Sequence, residues 1–90
     1  MEYRFDDRAL DARTFLAFVQ QVWPGNYDED KTETALTKTI NITARENGKL
    51  TGCLRILTDG CFFGTITELL VLPACRGQGV GRALMKPLRE

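Results

Sequence analysis

The residues whose type and spacing most directly suggest chemistry are three glycines at alternate positions, Gly77, Gly79 and Gly81. They lie between an apolar run that ends at Pro73 and a pattern typical of a helix, which predicts a strand, a tight loop and a helix. Glycine lets a backbone approach a ligand closely or take up a positive φ. The first N–H groups of a helix have no partner within it and carry the positive end of its dipole. The arrangement therefore predicts a phosphate-binding loop.

Two common phosphate-binding motifs are excluded by the neighbouring residues. A P-loop has Lys-Ser or Lys-Thr directly after its glycines, and no such pair follows here. A dinucleotide-binding fingerprint has the spacing G-x-G-x-x-G and an acidic residue about 20 residues later, whereas this chain ends at Glu90. A tight turn without a ligand remains an alternative, because glycine alone also marks turns.

The run from Arg76 to Gly81, Arg-Gly-Gln-Gly-Val-Gly, follows Leu-Val-Leu-Pro and resembles the acetyl-CoA signature of the GNAT superfamily of N-acetyltransferases. The resemblance covers nearly the whole chain and is sharpest over residues 67–85. It implies an α/β (α+β) fold with a mostly antiparallel sheet, acetyl-CoA as the cofactor, and loop amides that hold its pyrophosphate. It places the cofactor contacts at Leu70, Val71, Leu72, Arg76, Gly77, Gln78, Gly79, Val80, Gly81 and Arg82.

Transfer of an acetyl group to an amine requires that the amine lose a proton, which a carboxylate can accept. Glu68 lies on the strand before the loop, where many GNAT proteins carry an acid near the acceptor cleft. The resemblance therefore makes Glu68 the candidate catalytic base, and its apolar neighbours Ile66, Leu69 and Leu70 suit that role. The alternative is a solvated or salt-bridged glutamate on the outward face of the sheet.

Two large aromatic residues, Trp23 and Tyr27, lie close together after the first predicted helix. In GNAT folds the loop between the first two helices borders the acceptor pocket, so both are candidate substrate-binding residues. The alternative is that both cover the edge of the core, as aromatic side chains often do. Three carboxylates on the second predicted helix, Glu29, Asp30 and Glu33, would tolerate a cationic amine, but the sequence does not identify the acceptor.

The pattern of apolar and turn residues predicts the element order β-α-α-β-β-β-α. A strand is predicted at residues 2–5, a helix at 12–22 with Asp11 as its N-cap, and a second helix at 28–39. Asn47-Gly48, between apolar runs at 41–45 and 50–57, predicts a hairpin, and a second turn at 58–60 leads into a strand at 62–72. Pro87 should end the last helix near Met85.

Composition limits the classes of function. The chain of 90 residues suits one domain, 1–90, and its 12 basic and 12 acidic residues argue against nucleic acid or an anionic membrane as a partner. No apolar run approaches the ~20 residues of a membrane span, and no signal-peptide core is present, so a cytoplasmic location is expected. The absence of histidine excludes Ser-His and Cys-His pairs and most zinc sites. Three cysteines form no C-x-x-C metal pair and are expected to be reduced.

A complete GNAT domain continues past this last helix with another strand, a helix and closing strands. These supply one wall of the CoA cleft and usually a tyrosine that protonates the thiolate, a place that neither Tyr3 nor Tyr27 matches. The resemblance therefore implies a shortened relative or a fragment, and the uncovered strand edge predicts a homodimer or larger assembly. Two functions follow: an N-acetyltransferase acting on a small-molecule or peptide amine, or a CoA-binding or protein-interaction module without turnover.

Overall fold

The structure, a computed structural model, describes residues 1–58 and 64–86. In chain order the elements are β1 (Glu2–Arg4), α1 (Ala12–Val22), α2 (Glu29–Lys38), β2 (Thr39–Glu46), β3 (Lys49–Thr58), β4 (Gly64–Val71), a 3-10 turn (Pro73–Cys75) and α3 (Val80–Met85). The predicted order of elements is therefore confirmed, as is the end of the last helix at Met85. Most of the second predicted turn and the start of the strand predicted from residue 62 lie outside the described residues.

The first two helices begin where their capping residues predict. Asp11 accepts a hydrogen bond from the Thr14 N–H at 2.7 Å and caps α1, while Asp28 accepts from the Lys31 N–H at 2.8 Å and caps α2. The apolar stripe of α1 is buried through Phe15 and its neighbours on the same face. Among the described residues, no helix is both long and apolar enough to cross a membrane.

All four strands form one antiparallel sheet in the order β1-β2-β3-β4. Asn47 and Gly48 join β2 to β3 with φ values of 54° and 82°. Two consecutive positive φ values fit a type I′ hairpin turn, whose twist matches the flanking strands. The hairpin predicted from the Asn-Gly pair is therefore confirmed.

The helices lie on both faces of the sheet. Because successive side chains of a strand point to opposite faces, alternate residues of β3 pack against different helices. Cys53 belongs to the cluster under α1 and α2, and Leu54 belongs to the cluster under α3. The first cluster consists of Leu10, Phe15, Phe18, Val19, Leu36, Leu50, Cys53 and Leu72. The second consists of Ile42, Ala44, Leu54, Ile56, Val80 and Leu84.

Gly52 on β3 sets how closely α3 approaches the sheet. A Cβ at this position would lie 2.9 Å from Val80 Cγ1 and 3.1 Å from Leu84 Cδ1. Any larger residue would therefore push α3 outwards or force its side chains to move. Gly52 was not among the residues predicted to matter, although it positions the helix that follows the glycine loop.

The connection between β1 and α1 is fixed by the buried carboxylate of Asp7. It accepts hydrogen bonds from Thr43 Oγ1 at 2.8 Å and from the Ala9 N–H at 3.0 Å, and it pairs with Arg45 at 3.0 Å. Burial would raise the pKa of Asp7, but these hydrogen bonds and the Arg45 charge outweigh it and lower the pKa. The ionised carboxylate therefore ties the connection between β1 and α1 to β2.

Candidate functional site

The glycine loop leaves β4 at Leu72 and ends at the first residue of α3. Gly77 and Gly79 have φ values of 83° and 79°, in the region that residues with a Cβ rarely adopt. No heavy atom lies within 4 Å of a Cβ built on either residue, so that side of the loop is open. Gly81 differs, because it lies inside α3 without a positive φ, and its Cβ would make an ordinary 3.8 Å contact with Leu69 Cδ2.

A cavity of about 590 Å³, called the loop cavity below, opens beside this loop. Its lining includes seven of the ten predicted cofactor contacts. Two of these residues, Arg76 and Arg82, carry guanidinium groups, which make the cavity electropositive. The lining residues are Val71, Cys75, Arg76, Gly77, Gly79, Val80, Gly81 and Arg82. Of the other three predicted contacts, Gln78 is exposed on the loop, Leu72 is buried in the core, and Leu70 lines a different cavity.

Arg76 ties the loop to the end of β4. Its Nε donates a hydrogen bond to the Val71 carbonyl oxygen at 3.2 Å, while the side chain stays exposed. The neighbouring Leu72 N–H donates to the Thr51 carbonyl oxygen on β3 at 2.9 Å. Since successive residues of a strand direct their backbone groups to opposite edges, the Val71 N–H points to the edge that β3 does not cover.

A second cavity of about 670 Å³, called the aromatic cavity below, lies between the helices α1 and α2 and the strands β3 and β4. It brings together Glu68, Trp23 and Tyr27, the three residues that the sequence analysis assigned to the acceptor side. Its lining residues are Phe15, Leu16, Val19, Trp23, Asn26, Tyr27, Asp28, Lys31, Thr32, Ala35, Arg55, Thr67, Glu68 and Leu70.

The two aromatic residues are exposed rather than packed on the core edge. Trp23 is 69% exposed and Tyr27 is 41% exposed. The Tyr27 hydroxyl donates to the Trp23 carbonyl oxygen at 2.7 Å, which holds the segment between α1 and α2 in a fixed shape. An exposed tryptophan on a cavity wall offers a large apolar contact surface to a ligand.

Glu68 is not surrounded by apolar side chains alone, so that part of the prediction is wrong. It lies opposite Arg55 in the β3–β4 ladder, and the Arg55 guanidinium pairs with both carboxylate oxygens, through Nε and, at 3.1 Å, through Nη2. Thr67 Oγ1 also donates to Glu68 Oε2, at 2.7 Å. The reason is strand alternation, which directs Leu69 towards Gly81 on the other face and leaves Arg55 as the cross-strand neighbour.

Arg55 is a residue of the candidate site that was not predicted from the sequence. Its guanidinium carbon lies 5.4 Å from the centre of the Phe15 ring, so the cation rests on an aromatic face while it holds Glu68. The sequence showed only an arginine within an apolar strand. Its pairing with Glu68 could not be predicted without the register between β3 and β4. Asp28 and Lys31 were also missed as cavity residues, because both appeared to be parts of an ordinary helix start.

Cys53 does not provide an alternative nucleophile at this site. Cys53 is buried, and burial raises the pKa of its thiol to about 12, which keeps it protonated. Cys75 is partly buried and packs against both core clusters. Cys61 lies outside the described residues.

Comparison with solved structures places this geometry in a known fold. A GNAT-family acetyltransferase from Streptococcus pneumoniae is 24% identical and superposes with a TM-score of 0.79, covering 97% of this chain and 64% of that one. A protein of unknown function from meticillin-resistant Staphylococcus aureus is 18% identical, with a TM-score of 0.81 and coverages of 98% and 67%. An aminoglycoside 6′-N-acetyltransferase complexed with coenzyme A is 19% identical, with a TM-score of 0.77 and coverages of 98% and 53%.

This chain therefore spans between about half and two thirds of the length of these structures. A comparison with curated protein sequences finds no match. The family model described as the acetyltransferase (GNAT) family matches residues 7–90, nearly the whole chain. Together with the four-stranded antiparallel sheet and the positive φ values of the glycine loop, this match shows that the chain belongs to the GNAT family of acetyltransferases.

Proposed function

We propose that this chain transfers an acetyl group from acetyl-CoA to an amino group of a small molecule or peptide. The observation that carries the proposal is the position of the two cavities on β4. Leu70 lines the aromatic cavity on the face of the sheet that α1 and α2 cover, and the next residue, Val71, lines the loop cavity on the face that α3 covers. The two cavities therefore flank the same end of β4, and the donor carbonyl and the acceptor nitrogen would come within bonding reach at the outer edge of this strand.

The loop cavity fits the pyrophosphate of coenzyme A. The open backbone at Gly77 and Gly79 permits close approach of a phosphate, and the two guanidinium groups on the cavity wall match its charge. When bound, acetyl-CoA supplies an acetyl group activated as a thioester. The Val71 N–H, directed away from β3, would serve as the donor that polarises a carbonyl oxygen at this edge.

Glu68 would accept the proton that the amine loses. A carboxylate offers about four acceptor positions, of which the Arg55 guanidinium fills two, and the Thr67 hydroxyl, which also lies 3.2 Å from the Arg55 carbonyl oxygen, can fill a third. The fourth position remains for the proton of an amine in the aromatic cavity. In this arrangement Arg55 and Thr67 are positioning residues that fix the carboxylate, and Glu68 is the catalytic residue.

Calorimetric titration with coenzyme A and with pantetheine, which lacks the pyrophosphate, tests the cofactor site. We expect coenzyme A to bind and pantetheine to bind much more weakly, because the loop cavity contacts the pyrophosphate. Mass spectrometry of amines incubated with the chain and acetyl-CoA then tests transfer. Equal binding of the two ligands would contradict the loop assignment, while binding without transfer to any amine would favour a CoA-binding module without turnover.

We also propose that a second copy of the chain pairs with the outer edge of β4. Within residues 1–58 and 64–86, β4 pairs with β3 alone, and Ile66 and Leu69 on it are 42% and 39% exposed. An edge strand with exposed apolar residues is a template for pairing with another chain. Because Arg76 already binds the Val71 carbonyl, the pairing would involve the earlier part of β4 and leave the loop cavity open.

Light scattering at micromolar concentration should therefore report a dimer or a larger species. Ile66→Lys places a charge on the edge strand and should shift the protein towards a monomer. Leu57→Lys is the matched control, because Leu57 is 51% exposed but lies on the interior strand β3 and should leave assembly unchanged. A monomeric wild-type protein, or equal effects of the two variants, would contradict pairing through β4.

A further inference from the structure

The charges around the aromatic cavity are balanced. Two carboxylates, Asp28 and Glu68, and two cations, Lys31 and Arg55, contribute to its lining. Arg55 pairs with both oxygens of Glu68, and one oxygen of Asp28 accepts the backbone N–H of Lys31 as the helix cap. The cavity therefore has no excess of negative charge to attract a ligand with several cationic groups.

The acidic residues of α2 do not change this balance, because none of them lines the cavity. Glu33 Oε2 accepts a hydrogen bond from the Ala12 N–H at 2.8 Å and so helps to fix the start of α1. Glu29 lies 3.6 Å from the Arg13 guanidinium on the protein surface. The expectation that α2 carboxylates would accommodate a cationic acceptor is therefore not supported by their positions.

Most of the remaining cavity wall is apolar. Phe15, Leu16, Val19, Ala35 and Leu70 contribute aliphatic and aromatic surface between the helices and the sheet. The exposed indole of Trp23 extends this surface outwards. Burying the body of a ligand against such a wall is favourable in proportion to the apolar area removed from water.

We infer that the aromatic cavity selects a primary amine with one positive charge on an aromatic or apolar body and disfavours polycations such as polyamines and aminoglycosides. The inference rests on the proposed function, and it specifies the acceptor class. A single amine is served by the free acceptor position of Glu68. A second ammonium group would lose water at a wall where the other carboxylate, Asp28, caps α2 beside Lys31, whose charge offsets that of Asp28 and would repel the ligand.

Trp23 provides a direct readout of this cavity, because it is the only tryptophan in the chain. We would titrate the protein with phenylethylamine and with spermidine and follow tryptophan fluorescence, with phenylethanol as the control that lacks the amine. Phenylethylamine should bind at least roughly tenfold more tightly than spermidine, as the loss of one paired charge implies. Tighter binding of spermidine, or no response to either amine, would overturn the inference.

A charge reversal within the cavity tests the physical cause. Lys31→Glu should tighten spermidine binding roughly tenfold and change phenylethylamine binding much less, because it supplies a carboxylate for a second ammonium. Lys38→Glu makes the same change on α2 outside the cavity and should leave both affinities unchanged. Equal effects of the two variants would contradict selection by charge balance.

The inference and the proposed function can fail separately. Acetyl transfer to spermidine in preference to phenylethylamine would overturn the inference and support the proposed function. If phenylethylamine binds at Trp23 but coenzyme A does not bind the chain, the cavity selects its amine as inferred and the transferase proposal is wrong. Both titrations use the same protein preparation, so a folding defect would be visible in each.

Discussion

Replacing Glu68 with glutamine is expected to lower the rate of acetyl transfer by about 10²–10⁴-fold, the usual contribution of a general base. Glutamine keeps the size of the side chain and an oxygen that can accept from Arg55, but it cannot take up a proton. The loss should be clearest below the pKa of the acceptor amine, where more of the amine must be deprotonated. The affinity for coenzyme A should hardly change, because Glu68 lines the aromatic cavity and not the loop cavity. Transfer rates at several pH values and calorimetry measure the two effects.

Arg55→Gln is the control that separates catalysis from structure. If Glu68 serves only to neutralise Arg55, whose side chain is 14% exposed, removing either partner should affect the protein similarly, through its folding stability. If Glu68 is the base, Arg55→Gln should lower the transfer rate less than Glu68→Gln does, because the carboxylate remains although Arg55 no longer positions it. A loss below tenfold in Glu68→Gln, or equal losses of rate in both variants, would identify Glu68 as a structural residue.

The features that the sequence predicted correctly are those that depend on neighbouring residues in the chain. The helix over Ala12–Val22 is specified by its own cap and by an apolar stripe, and the hairpin by Asn47-Gly48. The glycine loop is also a local feature, and within it Gly77 and Gly79 are the residues that adopt a positive φ. Local backbone chemistry acts in the same way wherever the segment lies, which is why these predictions needed no tertiary information.

The features that the sequence did not predict depend on contacts between distant segments. Gly52 matters only because α3, nearly thirty residues later, packs against it through Val80. The partner of Glu68 follows from the register of β3 against β4, and a shift of one residue would turn Arg55 to the other face. Neither the close approach of a helix nor the register of a strand pair is encoded in the pattern of a single segment.

The assignment of Trp23 and Tyr27 to a cavity could be predicted from the sequence only in part. Their proximity in sequence suggested a shared site, but exposure decides between a core cover and a cavity wall. Trp23 and Tyr27 are exposed, and the Tyr27 hydroxyl binds the Trp23 carbonyl oxygen in the segment between α1 and α2. Exposure of this kind is set by tertiary geometry rather than by residue type.

Replacing Gly79 with valine is expected to abolish most of the affinity for coenzyme A. The residue has a φ of 79°, so a β-branched side chain would strain the loop or force it into another conformation. The side chain would also fill the open space through which a phosphate approaches the backbone. Losing even one charge-assisted hydrogen bond costs about 1.5–3 kcal/mol, so the affinity should fall by roughly tenfold or more, measured by calorimetry.

Gly48→Val is a closely matched control for this variant. Gly48 has a φ of 82° and, like Gly79, no atom within 4 Å of an added Cβ, but it lies in the β2–β3 hairpin. Both variants should therefore lose a similar free energy of unfolding, about 1–2 kcal/mol for a side chain held in the left-handed region. Gly48→Val should keep the wild-type affinity for coenzyme A, and only Gly79→Val should lose it. Equal affinities in the two variants would mean that the glycines make a tight strand-to-helix turn and that the phosphate site lies elsewhere.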